Sequence, residues 1–151
     1  MKTGGLVLKR SKVTLIMTAD KHAPGDLLKR FASYQLPIIL YAAVVFTVSS
    51  VSKLPTPDLG ITYLDKLAHF VEYFIFLLLA FRALSNPPVR IRGFWSYSLA
   101  GILSIVFAAL DEYHQSFVPG RTADALDMVA DLVGIILAVV LLFLLDKRRS
   151  Q

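Results

Sequence analysis

Four apolar stretches of membrane-spanning length constrain this chain more than any other feature. They run over about 31–52, 67–84, 94–110 and 126–145. Each is close to the ~20 residues that a helix needs to cross a bilayer. Helix-breaking residues separate them, at Pro55 and Pro57, at Asn86-Pro87-Pro88 and at Pro119-Gly120. Short connections make consecutive helices antiparallel neighbours, so the sequence predicts an all-α integral membrane protein, a four-helix bundle.

The composition supports a membrane protein and excludes other classes. Hydrophobic residues make up 56% of the 151 residues and charged residues 18%, against about 25% charged in ordinary soluble domains. Such a chain is too apolar to be intrinsically disordered. It has no cysteine, which excludes disulfides, thiolate nucleophiles and zinc–cysteine sites.

The basic residues predict how the chain is oriented. Thirteen of the sixteen lie on one side of the four spans: Lys2, Lys9, Arg10, Lys12, Lys21, Lys29, Arg30, Arg82, Arg90, Arg92, Lys147, Arg148 and Arg149. The other side carries Lys53, Lys66 and Arg121. The positive-inside rule therefore places both termini in the cytoplasm.

This orientation divides the chain into a basic cytoplasmic tail over 1–30, a membrane domain over 31–145 and a second basic tail over 146–151. Translation from Met17 is an alternative to Met1. Topology and anionic lipid account for the basic tails, so no nucleic-acid partner is expected.

The second span begins with a polar stripe. Asp65, His69, Glu72 and Tyr73 are spaced i, i+4, i+7 and i+8, which places them on one helical face. The stripe reaches about 10 Å below the outer end of the helix, at a rise of about 1.5 Å per residue. Charge inside a bilayer costs roughly 2.5–3.5 kcal/mol per residue, so a polar stripe at this depth indicates a structural or functional role.

The third span ends with acidic and amide residues that lead into a turn. Asp111 and Gln115 share a helical face, and Glu112 lies beside them. Pro119-Gly120 is a turn signal. Arg121 follows it, and its planar guanidinium suits bidentate pairing with a carboxylate or phosphate. Asp111 and Asp124 are candidate partners for Arg121.

The fourth span opens with a third polar stripe. Asp124, Asp127 and Asp131 lie on one face, and Gly134 continues it one turn deeper. A small residue there lets a neighbouring helix approach closely. Three helices thus each bring polar residues to the outer end of the bundle, and one compact site can collect them.

Three motifs in order resemble the VanZ-like family. They are Asp65-Lys66-x-x-His69-Phe70-x-x-Tyr73, Asp111-Glu112-x-x-Gln115-x-Phe117-x-Pro119-Gly120-Arg121, and Asp127-x-x-Ala130-Asp131-x-x-Gly134. Many family members have Asn where this chain has Asp131. The resemblance implies a multi-pass protein of the bacterial plasma membrane and cell envelope. The family's namesake is associated with resistance to the glycopeptide teicoplanin.

The leading functional hypothesis is a binding protein of the cell envelope. Its ligand would be an envelope lipid, a lipid-linked cell-wall precursor or a lipoglycopeptide, with a contribution to glycopeptide resistance. Arg121 would take a phosphate or carboxylate, and Tyr113 and Phe117 an acyl chain. The predicted ligand-binding residues are Asp65, His69, Tyr73, Asp111, Glu112, Gln115, Arg121, Asp127 and Asp131.

The alternative is an intramembrane hydrolase or transferase acting on envelope lipids. The candidate catalytic residues are His69 as base, Asp65 as its orienting carboxylate and Glu112 as general acid. Metal assistance is conceivable for Asp, Glu and His, but their spacing matches no HExxH-type motif, so no metal site is assigned. No cofactor or oligomeric state follows from the sequence.

Two further interpretations compete with these hypotheses. A proton-coupled transporter is poorly supported, because no polar residues continue into the inner half of the spans. A purely structural role is also open, in which the stripes only link the helices, at about 0.6 kcal/mol per hydrogen bond.

Overall fold

A computed structural model describes residues 24–52, 64–121, 124–149 and 151. Within these ranges the chain is all-α. Five helices follow one another: α1 (Pro24–Tyr34), α2 (Leu36–Ser49), α3 (Leu64–Ser85), α4 (Phe94–Gln115) and α5 (Ala125–Arg149). By length and apolar composition, α3, α4 and α5 can each cross a membrane, and α1 with α2 can form a fourth, bent span. The predicted all-α membrane fold is therefore confirmed.

The first predicted span is two helices rather than one. α1 and α2 meet at Gln35 with a bend of 42°. Pro37 lies in the first turn of α2, where its missing N–H and its ring interrupt a continuous helix. α1 begins at Pro24, inside the segment predicted as a tail, while residues 1–23 of that tail lie outside the described part. The second predicted tail is also helical as far as Arg149.

Side-chain contacts hold this bend against the other helices. Gln35 is buried, and its Nε2 donates to the carbonyl oxygens of Ala83 (2.8 Å) and Pro87 (3.2 Å). The guanidinium of Arg82 lies 5.5 Å from the ring centre of Tyr34. The bend is therefore part of the helix packing at the end of the bundle opposite the polar stripes.

α3 is the central helix and packs most extensively on α5. Its buried side chains Tyr73, Phe76 and Leu77 form a core with small residues of α4 and α5, including Ala108 and Ala138. Gly134 of α5 lies directly against α3. A Cβ at Gly134 would overlap the carbonyl oxygen of Phe70 and lie 3.1 Å from the backbone nitrogen of Phe74. The predicted close approach at Gly134 is confirmed.

The connection from α4 to α5 has the local chemistry expected of a turn. Pro119 and Gly120 occupy its centre, Gly120 has a φ of 83°, and the N–H of Arg121 donates to the carbonyl of Val118 at 3.1 Å. A positive φ favours glycine at this position. Asp124 then caps α5, because its Oδ1 accepts from the backbone N–H of Leu126 at 2.9 Å.

Candidate functional site

The polar stripes of α3, α4 and α5 meet at one end of the bundle, called here the outer cluster. Within the described ranges it contains seven carboxyl groups and three basic side chains. These are Asp65, Glu72, Asp111, Glu112, Asp124, Asp127 and Asp131, with Lys66, His69 and Arg121. Tyr73 and Gln115 complete it. The sequence therefore identified the cluster, and helix packing supplies its internal pairing.

Lys66 forms the outermost layer of the cluster. Its Nζ lies 2.6 Å from Asp124 Oδ2, 2.6 Å from Asp127 Oδ1 and 2.9 Å from Asp65 Oδ2. The ammonium thus links the first turn of α3 to the first turn of α5. It also lowers the pKa of Asp124, which lies outside the helices, by hydrogen bonding to its ionised form.

His69 pairs with α5 one turn deeper than Lys66. Its Nδ1 lies 3.1 Å from Asp131 Oδ1, a distance at which the ring N–H donates to the carboxylate. Its Nε2 lies 3.9 Å from Asp127 Oδ2. Asp131 is 1% exposed. The carboxylate that orients His69 is therefore Asp131 and not Asp65, which is mostly exposed and contacts Lys66.

Three buried polar atoms of the outer cluster have no hydrogen-bond partner in the described part of the chain. They are the hydroxyl oxygen of Tyr73, Asp111 Oδ1 and Glu112 Oε2. Tyr73 is 0% exposed and Asp111 4% exposed. The other oxygens of the two carboxyl groups are bonded: Asp111 Oδ2 accepts from Gln115 Nε2 at 2.9 Å, and Glu112 Oε1 from the N–H of Asp124 at 2.5 Å.

Electrostatic interactions link the three residues that carry these atoms, because Tyr73 interacts with Asp111 and with Glu112. Most buried polar groups in proteins are hydrogen-bonded, so exceptions grouped in this way indicate a place for a ligand or water. We expect a group that donates hydrogen bonds there.

Arg121 is tied to α2 and to Gln115. Its Nη1 donates to Gln115 Oε1, its Nη2 to the carbonyl oxygen of Val48 and its Nε to that of Val51, each at 3.2 Å. Among the described residues Arg121 forms no ion pair with Asp111 or Asp124, contrary to the expectation from the sequence. The guanidinium instead donates to carbonyl groups at the carboxyl end of α2. The last carbonyl groups of a helix lack partners within that helix.

The remaining aromatic candidates lie at the rim of the cluster. Tyr113 and Phe117 are mostly exposed, and their rings pack edge to face with centroids 4.9 Å apart. His114 stacks on Phe46 at 4.2 Å and bonds Ser50 Oγ through Nε2 at 2.9 Å. In the described ranges no three His, Asp or Glu side chains are grouped as metal ligands.

Three residues outside the predicted ligand-binding set belong to the outer cluster, namely Lys66, Glu72 and Asp124. Lys66 connects three carboxylates, and Glu72 interacts electrostatically with Asp111, His69 and Asp131. The sequence signal for Glu72 was its place on the α3 stripe. Lys66 carried a weaker signal, as a lone cation beside that stripe.

Comparisons with known proteins agree with the family resemblance. A family model described as VanZ/LLP1 matches residues 12–146. A protein of Schizosaccharomyces pombe, described as uncharacterized, is 33% identical over 96 residues, which is 63% of this chain and 56% of the relative. The chain thus spans little more than half the length of that relative. No solved structure matches the chain.

Proposed function

The chain belongs to the VanZ/LLP1 family, and we propose that it binds the polar head group of an amphiphile in the outer cluster. The ligand class is an envelope lipid, a lipid-linked cell-wall precursor or a lipoglycopeptide. In this proposal the protein lies in a bacterial plasma membrane and contributes to glycopeptide resistance by holding such a ligand. The yeast relative means that similar sequences also occur outside bacteria.

One observation carries this proposal. Tyr73, Asp111 and Glu112 each present a buried polar atom with no partner in the described ranges. Leaving such an atom unpaired costs about 1–3 kcal/mol. A cluster that served only to link the helices would pair these atoms with one another or with the neighbouring helix. A ligand that donates hydrogen bonds to the two carboxyl oxygens and pairs with the Tyr73 hydroxyl, which can donate or accept, would satisfy all three.

The charge balance supports a donor-rich head group. Seven carboxyl groups face three basic side chains in the outer cluster, and three donors of Arg121 are already engaged. Hydroxyl, amide or ammonium groups suit these surroundings better than a bare phosphate does. The proposal therefore differs from the sequence-based expectation that Arg121 binds a phosphate.

Native mass spectrometry of the purified protein tests the proposal. We expect wild type to retain a membrane amphiphile, and Tyr73→Phe and Asp111→Asn to lose it while folding normally. Tyr97→Phe and Asp26→Asn are matched controls, because these residues lie at the opposite end of the bundle. Wild-type protein that retains nothing when offered lipid extract or a lipoglycopeptide would overturn the proposal. So would equal retention by Asp111→Asn.

A second candidate function is an intramembrane hydrolase or transferase acting on envelope lipids. The observation that favours it is the His69–Asp131 pair, in which a buried carboxylate orients an imidazole. His69 would act as the base, and Glu112, with its unpartnered Oε2, as the acid. Release of a head group or acyl chain from a lipid panel is the assay. An enzyme loses turnover in His69→Ala and Glu112→Gln, whereas a binder shows none in wild type.

We further propose that both termini face the cytoplasm and that the outer cluster faces the other side. The support is the distribution of Lys and Arg, thirteen on the side of the termini and three on the other. This orientation would expose the cluster to ligands that reach the membrane from outside the cell.

A further inference from the structure

An open groove runs between α2 and α3 beside the outer cluster. Its volume is about 310 Å³. Val44, Val45 and Val48 of α2 and Ala68 and Val71 of α3 form aliphatic walls. Both helices belong to the segments that can cross a membrane, so we expect the groove to face the lipid chains.

Glu72 is the acidic residue that lines this groove. In the described ranges its carboxylate accepts no hydrogen bond. Its own backbone carbonyl accepts from the hydroxyl of Tyr41 at 3.2 Å, which holds α2 against α3 at this level. An ionisable group at membrane depth is costly, and it usually marks a functional position.

Glu72 also connects the groove to the outer cluster. Its carboxyl interacts electrostatically with Asp111, Asp131, His69 and Arg121. Tyr73, the next residue, is fully buried, its hydroxyl has no partner in the described ranges, and it interacts electrostatically with Asp111 and Asp131 as Glu72 does. The apolar groove and the polar outer cluster therefore meet at Glu72.

We propose that the α2–α3 groove holds the hydrocarbon chain of a cationic amphiphile whose ammonium group pairs with Glu72. The proposal rests on the proposed function, because it assigns the chain and the charge of the same ligand. The aliphatic walls match a single alkyl chain. The excess of carboxyl groups over basic groups favours a cation, and attraction between opposite charges is strongest where water is scarce.

Binding of dodecylamine to the full chain in detergent tests this inference. Dodecyl phosphate has the same chain with the opposite charge, and propylamine has the same charge with almost no chain. We expect dodecylamine to bind about tenfold more tightly than either comparator, the size of effect that one lost charge pair or a buried chain produces. Equal binding of dodecylamine and dodecyl phosphate would overturn the assignment of charge.

Two substitutions test the two halves of the groove separately. Glu72→Gln keeps the shape and removes the charge, and should abolish the preference for dodecylamine over dodecyl phosphate. Ala68→Leu fills the groove from an exposed position of α3 and should weaken dodecylamine binding about tenfold. Ala109→Leu, at an exposed position on α4, is the matched control and should bind as wild type does.

A photoreactive diazirine at the chain end of the amine gives a measurement that needs no variant. Cross-links should map to 44–48 of α2 and 68–72 of α3, and cross-links elsewhere would reject the groove. Failure of this inference is separable from failure of the proposed function. Membrane lipid lost in Asp111→Asn but fully retained in Ala68→Leu would leave the outer cluster as a binding site and remove the groove from it.

Discussion

His69 Nδ1 lies 3.1 Å from Asp131 Oδ1, and this contact joins α3 to α5 one turn away from Gly134. The imidazole and the carboxylate can meet because the missing side chain at Gly134 lets the two backbones approach. Close helix packing and the polar pair are thus parts of one arrangement.

The first prediction concerns the partner of His69. His69→Ala leaves Asp131 buried without its partner, and we expect a loss of about 3–5 kcal/mol in the free energy of unfolding. Asp131→Asn should cost less, because a neutral amide is cheaper to bury than a carboxylate. Asp65→Asn should change stability by about 0–1 kcal/mol, as for an exposed ion pair.

Denaturant unfolding in detergent measures all three variants of this prediction. The ranking of the variants decides between the two carboxylates. If Asp65→Asn lowered the free energy of unfolding as much as Asp131→Asn does, Asp65 would be the orienting carboxylate of His69. A double-mutant cycle between His69 and Asp131 should show a coupling of about 0.5–3 kcal/mol.

The second prediction tests the close approach of α3 and α5. Gly134→Ala places a methyl group against the backbone of Phe70, which cannot move aside as a side chain can, and should destabilise the protein by about 1–3 kcal/mol or more. Gly101→Ala is the control, because a Cβ there meets nothing within 4 Å. Gly101→Ala should leave the free energy of unfolding unchanged or raise it. Equal melting temperatures for the two variants would contradict the packing.

The third prediction separates the two contacts of Asp124. Its carboxylate caps α5 at Leu126 and pairs with Lys66. Asp124→Asn keeps a capping side chain and loses the ion pair, whereas Asp124→Ala loses both. We expect melting temperatures at pH 7 to fall in the order wild type, Asn, Ala.

The ion pair of Asp124 also has a defined pH dependence. Lys66 lowers the pKa of Asp124 in the folded protein, so this contribution is present above the ordinary aspartate pKa of about 3.9. It is lost as the pH falls through the lower, folded value. The gap in melting temperature between wild type and Asp124→Asn should therefore begin to narrow below about pH 4 and close once the pH is below the folded pKa. A gap that stays constant from pH 7 to pH 3 would contradict it.

The fourth prediction concerns Arg121. Its guanidinium donates to three separate acceptors, and a lysine ammonium cannot reproduce that planar arrangement. Arg121→Lys should speed amide hydrogen exchange in the loop over 116–121, where the loop is tied to α2. Arg92→Lys, an exposed substitution at the other end of the bundle, should leave exchange unchanged.

The fifth prediction concerns orientation. The natural chain has no cysteine, so single cysteines report directly on the side of the membrane. Ser116→Cys, at the outer-cluster end, should react with a membrane-impermeant maleimide in intact cells. Val89→Cys, between α3 and α4, should react only after permeabilisation. The reverse result would invert the proposed orientation.

Much of the site could be predicted from the sequence because helical periodicity is local. Asp65, His69 and Tyr73 share a face of any regular helix, whatever packs against it. The same reasoning places Asp127 and Asp131 together on α5. The Pro119-Gly120 turn could likewise be predicted from its residues, since glycine tolerates the positive φ that the turn requires.

Pairing between helices could not be predicted in this way. Asp65 and Asp131 were both available to His69, and only the rotation and offset of α5 against α3 select Asp131. Arg121 likewise had several carboxylates in sequence reach, but the loop brings it to the carboxyl end of α2. The bend at Gln35 depends on acceptors at Ala83 and Pro87, far along the chain.

The sequence by itself thus determined the apolar helices, the end at which the polar residues gather and the family. Those properties follow from hydrophobicity, from the helical repeat and from motif order. The tertiary structure decided which groups are paired, leaving Tyr73, Asp111 and Glu112 with unpartnered atoms and opening the groove at Glu72. Such choices depend on distances of a few ångströms between helices, which packing at positions such as Gly134 sets.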